Sequence, residues 1–214
     1  MAKSMFYYAC VDSGIPKKYI GITAEDWGSD SKSLKFADKT IKSLDVLIKN
    51  SMCLMFIGFF GSGKSFLSSL IAVEAIKRKK IVSYESLFTI LTTLQNERFE
   101  KGVVDRYFKK FSNSDLVVLN GINPGVWRTA SEWSKIAFID IISNVIANDQ
   151  QTMLLFNVDV LRNIEAPKDA VKMLKDEFEV RFLKLIMDNF KPFALKKYKG
   201  YSAKVSKRWD EVLD

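Results

Sequence analysis

Histidine does not occur in the sequence, and cysteine occurs only as Cys10 and Cys53. Without histidine the chain has neither a Ser-His-Asp nor a Cys-His catalytic centre, and it has no imidazole ligand for zinc. Two cysteines are also too few for a cysteine-only zinc site or for a disulfide framework. Phosphate binding stays open, because that chemistry uses backbone N–H groups, lysine and serine.

Long apolar runs are absent as well. The longest run, 52–60, is far shorter than the roughly 18 residues that span a bilayer. The amino terminus has no continuous apolar region and no clear cleavage site of the secretory kind. We therefore expect a soluble cytoplasmic protein with both cysteines reduced and with no membrane partner.

The composition is typical of a globular chain. The 214 residues are 48% hydrophobic and 27% charged, which suits one α/β domain with a sizeable core. Lysine and arginine total 33 against 25 aspartates and glutamates, so the formal net charge is +8. A balance of this sign favours an anionic partner such as nucleic acid.

Short apolar runs that are typical of buried strands alternate with segments of helical spacing. We predict strands at 52–58, 81–84, 116–119 and 153–156. We predict helices at 34–50, 66–80, 85–95, 97–111, 131–147 and 170–189. The polar stretch 28–33 reads as a loop, and the residues after 189 read as a basic tail. This alternation indicates a three-layer α/β/α domain with a mostly parallel sheet.

Residues 58–65 read Gly-Phe-Phe-Gly-Ser-Gly-Lys-Ser and fit the phosphate-loop motif G-x-x-x-x-G-K-[ST], between a predicted strand and a predicted helix. The glycines let the backbone wrap round phosphate, so that N–H groups and the helix amino terminus face the anion. Lys64 is expected to contact the β and γ phosphates, and the Ser65 hydroxyl to ligate Mg²⁺. A chance glycine-rich turn is the alternative, which the flanking elements disfavour. The predicted cofactor-binding residues here are Gly58, Phe60, Gly61, Ser62, Gly63, Lys64, Ser65 and Phe66.

A second buried strand, 115–119, ends where phosphate-loop ATPases usually carry one carboxylate for the Mg²⁺ shell and often a second acid for the attacking water. The residues at that point are Asn120 and Gly121, which carry no charge. Asn120 can still accept a hydrogen bond from a metal-bound water. Loss of a positioned general base costs about 10²–10⁴ in rate, so we expect ATP binding with weak hydrolysis. The alternative is that an acid elsewhere in the chain fills this role.

Four motifs together resemble the bacterial replicative helicase loaders of the DnaC/DnaI type and the related IstB-type transposition ATPases, all of them AAA+ proteins. The motifs are the lead-in segment 13–19, the phosphate loop 58–65, the strand region 115–121 and the Ser-Glu-Trp triplet 131–133. The resemblance implies an AAA+-like P-loop NTPase fold that binds ATP or ADP with Mg²⁺. It also implies a replicative helicase or other replication protein as partner, and single-stranded DNA as a weakly bound one.

The same resemblance assigns roles to three further residues. Asn157, at the tip of the last predicted strand, matches the polar sensor that positions water against the γ-phosphate. Arg181 sits where the family carries its arginine finger, which implies self-association with Arg181 donated to a neighbouring subunit's nucleotide. Lys204 replaces the arginine of the second sensor and implies a weaker contact, because lysine lacks the guanidinium fork. The predicted catalytic residues are Lys64, Asn120, Asn157 and Arg181.

The resemblance also suggests a domain organisation. We predict a lead-in segment at 1–35 and a P-loop domain at 36–214 with a short basic carboxy-terminal portion. Family loaders carry a separate amino-terminal domain that binds the helicase, whereas about a dozen residues precede Ser13 here. We therefore expect docking through another surface or a different partner, in a protein of the kind carried by a phage or mobile element.

Several features have two readings. The acid-free basic run 191–208 suits either a DNA-facing patch or a solvated tail. The segment 101–111 suits single-strand DNA binding or, because Tyr107, Phe108 and Phe111 recur at helical spacing, core packing. The Asp-Arg-Tyr triplet 105–107 resembles one found in nucleotide kinases, so a small-molecule kinase is an alternative function. An IstB-like transposition helper and a binding module without turnover are the others.

Overall fold

The computed structural model describes residues 5–27, 31–100, 102–148, 151–161 and 167–195. The strands are β1 (Cys53–Phe59), β2 (Val82–Ser86), β3 (Leu116–Ile122), β4 (Met153–Val160) and β5 (Lys191–Leu195). The helices are α1 (Met5–Asp12), α2 (Ser31–Lys42), α3 (Leu44–Lys49), α4 (Lys64–Lys77), α5 (Leu87–Asn96), α6 (Val103–Ser112), α7 (Pro124–Thr129), α8 (Glu132–Ala147), α9 (Pro167–Glu177) and α10 (Val180–Asn189). Two short 3₁₀ helices, Lys17–Tyr19 and Ala24–Asp26, lie between α1 and α2.

The five strands form one parallel sheet with the order β2-β3-β4-β1-β5. Side chains alternate between its faces, so each strand feeds two apolar clusters. Met55 and Ile57 of β1 join the cluster formed with α5–α10, whereas Leu54 and Phe56 join the cluster formed with α1–α4. The predicted three-layer α/β/α architecture with a parallel sheet is confirmed.

The predicted helix 34–50 is divided in the structure. It forms α2 and α3, which separate at Ser43, where ψ is 9°. Helix α2 also begins at Ser31, so the predicted loop 28–33 is wrong for its last residues. The predicted boundary between residues 35 and 36 falls inside α2, and the division into two segments stays a prediction.

The predicted helix 170–189 is divided as well, into α9 and α10. Glu179 lies between the two helices with an extended backbone, at ψ 151°. The preceding residue, Phe178, is buried, and its ring centroid lies 5.2 Å from that of Phe182. Aromatic packing at the corner therefore interrupts a pattern that otherwise continues with helical spacing.

Strand β5 was expected to be part of a basic tail, and that expectation is wrong for residues 191–195. Among the described strands it pairs only with β1, and it lies at the edge of the sheet that they form. Pro192 argues against a strand in the sequence, because proline has no N–H group to donate. An edge strand tolerates such a residue. Phe193 anchors the strand by stacking on Phe36, with ring centroids 4.0 Å apart.

The strand order determines which carboxyl ends meet. Strand β4 lies between β1 and β3, so the residues that follow these three strands share one edge of the sheet. In open parallel α/β sheets, ligands bind at this edge. The phosphate-loop motif follows β1 and therefore lies beside the ends of β4 and β3.

Candidate functional site

The phosphate-loop motif connects the end of β1 to the start of α4. Gly61 and Gly63 have φ angles of +78° and +88°, a left-handed conformation that glycine adopts without steric cost. A Cβ atom on Gly63 would lie 2.2 Å from the Trp27 ring. A Cβ atom on Gly58 would lie 2.4 Å from Ser62 Oγ. The compact shape of the loop therefore depends on these glycines.

Helix α4 begins directly after the loop. Gly63 is its N-cap, and Lys64 and Ser65 are in its first turn, where N–H groups have no partner within the helix. The helix has 14 residues, and its dipole places partial positive charge at this end. The arrangement of N–H groups and dipole is suited to an anion such as phosphate.

The Lys64 ammonium group is buried among four acceptors. Its Nζ donates to the carbonyl oxygens of Gly58 at 2.8 Å and Phe59 at 3.0 Å. It also lies 3.2 Å from Ser62 Oγ and 2.7 Å from Asp159 Oδ1. Burial lowers the pKa of Lys64, and the charge and hydrogen bond of Asp159 oppose that shift. Asp159 is thus the counter-ion of the phosphate-loop lysine.

Asp159 is a residue that the sequence pattern did not single out. It lies on β4 opposite Gly58 of β1, at the carboxyl edge of the sheet, and its side chain is 21% exposed. It follows Asn157 by two residues, so both side chains lie on the sheet face that carries α4. The signal was an acid near the end of an apolar strand. The contact of this acid with Lys64 can be expected only when β4, and not β3, is known to lie next to β1.

Strand β3 contains a bulge where the acids of the second motif were expected. Its register with β4 slips by one residue between Leu119 and Ile122. Gly121 lies in this bulge with a φ of +70°, which favours glycine. Asn120 Oδ1 accepts a hydrogen bond from Ser65 Oγ at 2.8 Å. The uncharged Asn120 therefore contacts the residue that was predicted to ligate Mg²⁺.

Asn157 continues this hydrogen-bond chain between the sheet and α4. Its fully buried side chain donates from Nδ2 to Asn120 Oδ1 at 3.0 Å and to Ser68 Oγ at 2.7 Å. Ser68 Oγ in turn lies 3.3 Å from the Tyr84 hydroxyl, which also accepts from Ser69 at 3.4 Å. Burial raises the pKa of Tyr84, so the phenol remains neutral. A continuous polar chain thus runs from β3 through β4 and α4 to β2.

Four of the predicted residues, Lys64, Ser65, Asn120 and Asn157, come together at this edge of the sheet. Phe60 is 78% exposed on the loop.

Phe66 is 1% exposed, and its side chain packs in the core against Trp27 and Tyr19. Arg181 is exposed in the first turn of α10, and no hydrogen bond or ion pair among the described residues joins it to the loop. Lys204 lies outside the described residues.

The residues present fit a nucleotide with Mg²⁺. A Cβ atom at Gly58 or Gly63 would collide with Ser62 or Trp27, so the loop keeps a glycine backbone that phosphate can approach closely. Asn157 Oδ1 is buried and makes no hydrogen bond within the described part of the chain. The described residues contain no group of three histidine, cysteine or acidic side chains able to hold a metal. Ser65 would be one ligand of a bound Mg²⁺, beside the phosphate oxygens.

Helix α6 lies in the segment for which single-strand DNA binding was one interpretation, and its aromatic residues Tyr107 and Phe111 face the core. Tyr107 is 8% exposed and Phe111 is fully buried, so the core-packing interpretation is confirmed for both. Arg106 and Lys110 each form an ion pair with a glutamate. The Asp-Arg-Tyr triplet thus contributes to packing and to an ion pair within the helical layer. No helix in the described ranges is long and apolar enough to cross a membrane.

The parallel sheet of order β2-β3-β4-β1-β5, with the phosphate-loop motif after β1, has the fold of AAA+ P-loop NTPase domains. Solved structures with this fold match the chain. The DnaC helicase loader matches with a TM-score of 0.62 and 19% identity, over 85% of this chain and 100% of that chain. DnaI matches with a TM-score of 0.61 and 18% identity, over 85% of this chain and 94% of that chain.

AMPPCP-bound DnaA from Aquifex aeolicus matches with a TM-score of 0.62 and 18% identity, over 92% of this chain. The chain spans about half the length of DnaA, 56% of it. No protein-family model and no curated protein matches the chain. At these identities the matches show the fold, and the predicted AAA+ fold of the DnaC/DnaI type is confirmed.

Proposed function

We propose that the protein is an ATP-binding accessory protein of DNA replication. In its nucleotide-bound state it assembles on a replicative helicase or another replication protein, and on single-stranded DNA. The observation that carries this proposal is the phosphate loop 58–65 at the amino terminus of α4, in a fold shared with helicase loaders. DnaA, which has the same fold, is solved with AMPPCP and with single-stranded DNA. The net charge of +8 is consistent with the proposed binding to single-stranded DNA, since cationic side chains contact phosphates.

The nucleotide contacts follow from the geometry of the loop. The N–H groups at the start of α4 and the Lys64 ammonium group hold the phosphates. Ser65 supplies a hydroxyl to Mg²⁺, which when bound neutralises phosphate charge. Asn120 orients Ser65 through their 2.8 Å hydrogen bond, and Asn157 fixes Asn120 from the neighbouring strand. These residues thus form one connected site for ATP or ADP.

Binding, and not fast hydrolysis, is the proposed switch. The edge of β3 offers Asn120 and Gly121, neither of which can take a proton from water. Asn120 Oδ1 also already accepts from Ser65 and Asn157. Without a base on β3 the expected loss is about 10²–10⁴ in rate. ATP would therefore persist on the protein long enough to act as an assembly signal.

The proposal is tested first by nucleotide binding. A fluorescent ATP analogue with Mg²⁺ should bind the wild-type protein, and Lys64→Ala should weaken its affinity at least about tenfold, because a charged phosphate contact is lost. Lys77→Ala, an exposed lysine on the same helix, is the matched control and should bind normally. Turnover at about 1 s⁻¹ with DNA and partner present, lost in Lys64→Ala, would contradict the slow-hydrolysis part.

The partner is identified by affinity capture from the source cell with and without ATP. We expect a hexameric replicative helicase or another replication protein, captured with ATP by the wild type and not by Lys64→Ala. Capture of a transposase would favour the IstB-like alternative. Transfer of phosphate from ATP to a nucleoside or its monophosphate would favour the kinase alternative and overturn the replication assignment.

A further inference from the structure

Asp159 has no role in the function proposed above, although its carboxylate touches the phosphate-loop lysine. We propose that Asp159 is a specificity-determining residue that makes the site select Mg²⁺-bound nucleotide over metal-free nucleotide. This inference rests on the proposed nucleotide-binding function and assigns to it a requirement for the metal. It is carried by the position of Asp159, the saturation of the Lys64 ammonium group and the absence of charge on β3.

The first step concerns charge. Asp159 Oδ1 lies 2.7 Å from Lys64 Nζ, so the lysine that should attract phosphate is already neutralised. The ammonium group has three donors, and the acceptors within 3.2 Å are Gly58 O, Phe59 O, Ser62 Oγ and the carboxylate. An incoming phosphate oxygen must therefore displace one of them. The carboxylate is the acceptor it competes with most directly, because both are anions.

The second step concerns the position of the carboxylate. Asp159 pairs with Gly58, the first residue of the loop, and its buried neighbours Val158 and Val160 hold the strand in place. The backbone of Asp159 therefore stays beside the loop when phosphate arrives, which keeps its carboxylate within reach of the site. Metal-free triphosphate then meets a like charge at short range, which disfavours binding. A divalent cation reverses this effect, since Mg²⁺ binds a carboxylate, directly or through water, together with phosphate oxygens.

The third step concerns the end of β3, where ATPases usually carry the acids that interact with the metal. Asn120 and Gly121 carry no charge. Asn120 Oδ1 accepts hydrogen bonds from Ser65 and Asn157. The edge of β3 thus adds no electrostatic preference between free and Mg²⁺-bound nucleotide. A charge that can distinguish the two forms is present on Asp159, one strand closer to the loop.

The experiment compares affinity for a fluorescent ATP analogue in excess Mg²⁺ and in excess EDTA. For the wild type we expect Mg²⁺ to strengthen binding at least about tenfold. In Asp159→Asn the two affinities should lie within about threefold, chiefly because binding in EDTA improves. Asp159→Glu keeps the charge and should keep the Mg²⁺ preference. Asp45→Asn removes an exposed acid on α3 and should behave as wild type.

The outcomes separate the two proposals. A wild type that binds the analogue in neither condition would refute the proposed function itself. A wild type that binds equally in both conditions, or an Asp159→Asn variant with the wild-type ratio, would refute the selectivity of Asp159 alone. Circular dichroism checks that each variant is folded. If Asp159→Asn does not fold, the wild-type ratio and Asp159→Glu still decide, because a folded Glu variant without the Mg²⁺ preference would overturn the proposal.

Discussion

Asn120 differs from the aspartate that an ATPase usually has here by one side-chain atom, an amide nitrogen in place of a carboxylate oxygen. Its Oδ1 accepts from Ser65 at 2.8 Å and from Asn157 at 3.0 Å. An aspartate oxygen could accept the same two hydrogen bonds while adding the negative charge that an ATPase places here. The neighbouring Gly121 is different, because its φ of +70° favours glycine and strains residues with a side chain, aspartate less than most. Of the two missing acids, only the first can be restored without strain in the bulge.

We predict that Asn120→Asp raises the rate of ATP hydrolysis by about tenfold or more, within the range that a positioned carboxylate supplies. Phosphate release with Mg²⁺ and single-stranded DNA measures the effect. Asn120→Ala is the control and should give no increase. The additional change Gly121→Asp should lower the thermal midpoint relative to Asn120→Asp alone. An unchanged rate in Asn120→Asp would mean that another group limits turnover.

Secondary-structure elements were predictable where the signal is local. The strands at 116–119 and 153–156 are continuous apolar runs, and the structure extends both at their carboxyl ends. The breaks within 34–50 and 170–189 carry neither glycine nor proline, so the strongest local signals of a helix end are missing there. Strand β5 is short and contains a proline, and it exists because β1 offers it an edge. These errors arise from tertiary contacts that periodicity does not encode.

The corner between α9 and α10 depends on Phe182. The ring is fully buried and stacks on Trp127, with centroids 4.5 Å apart. We predict that Phe182→Ala lowers the free energy of unfolding by about 3–5 kcal/mol, because it leaves a cavity among aromatic rings. Urea denaturation measures the change. Met187→Ala, an exposed position on α10, should stay within about 0.5 kcal/mol of wild type.

A loss below about 1 kcal/mol in Phe182→Ala would show that the neighbouring rings collapse into the space. The corner would then be set by the backbone at Glu179, which already has an extended conformation. The same denaturation curves distinguish a core that collapses around the missing ring from one that loosens. A collapsed core leaves the dependence of the unfolding free energy on urea unchanged, whereas a loosened core alters it.

At the scale of the whole molecule, the candidate site was predictable in part. Lys64 and Ser65 belong to a contiguous motif, so the sequence alone identifies them. Asn157 required a resemblance to a family, and it does join Asn120. Asp159 required the strand order, because only the placement of β4 beside β1 puts its carboxylate next to the loop. Residues that meet through topology leave no mark on spacing along the chain.

Self-association is the remaining prediction at this scale. Arg181 is exposed at the start of α10, and the adjacent Val180 is 80% exposed. We predict that ATP with Mg²⁺ converts the wild type to larger assemblies, and that Arg181→Ala stays monomeric because a trans contact to phosphate is lost. Sedimentation velocity measures the change. Lys184→Ala, an exposed cation on the same helix, should assemble as wild type. Equal assembly of both variants would refute the role of Arg181.

The segment between Ser13 and Trp27 contacts both β2 and the phosphate loop. Ser13 O accepts from the backbone of Tyr84 on β2 at 2.7 Å, and Trp27 packs against Gly63 of the phosphate loop. Buried Ile15, Tyr19 and Ile22 fasten the stretch between them. In mechanical terms the segment is a link with one end on an edge strand and the other on the loop. A shift of the loop at Gly63 would therefore press on the Trp27 ring, and the buried side chains of the segment would resist that shift.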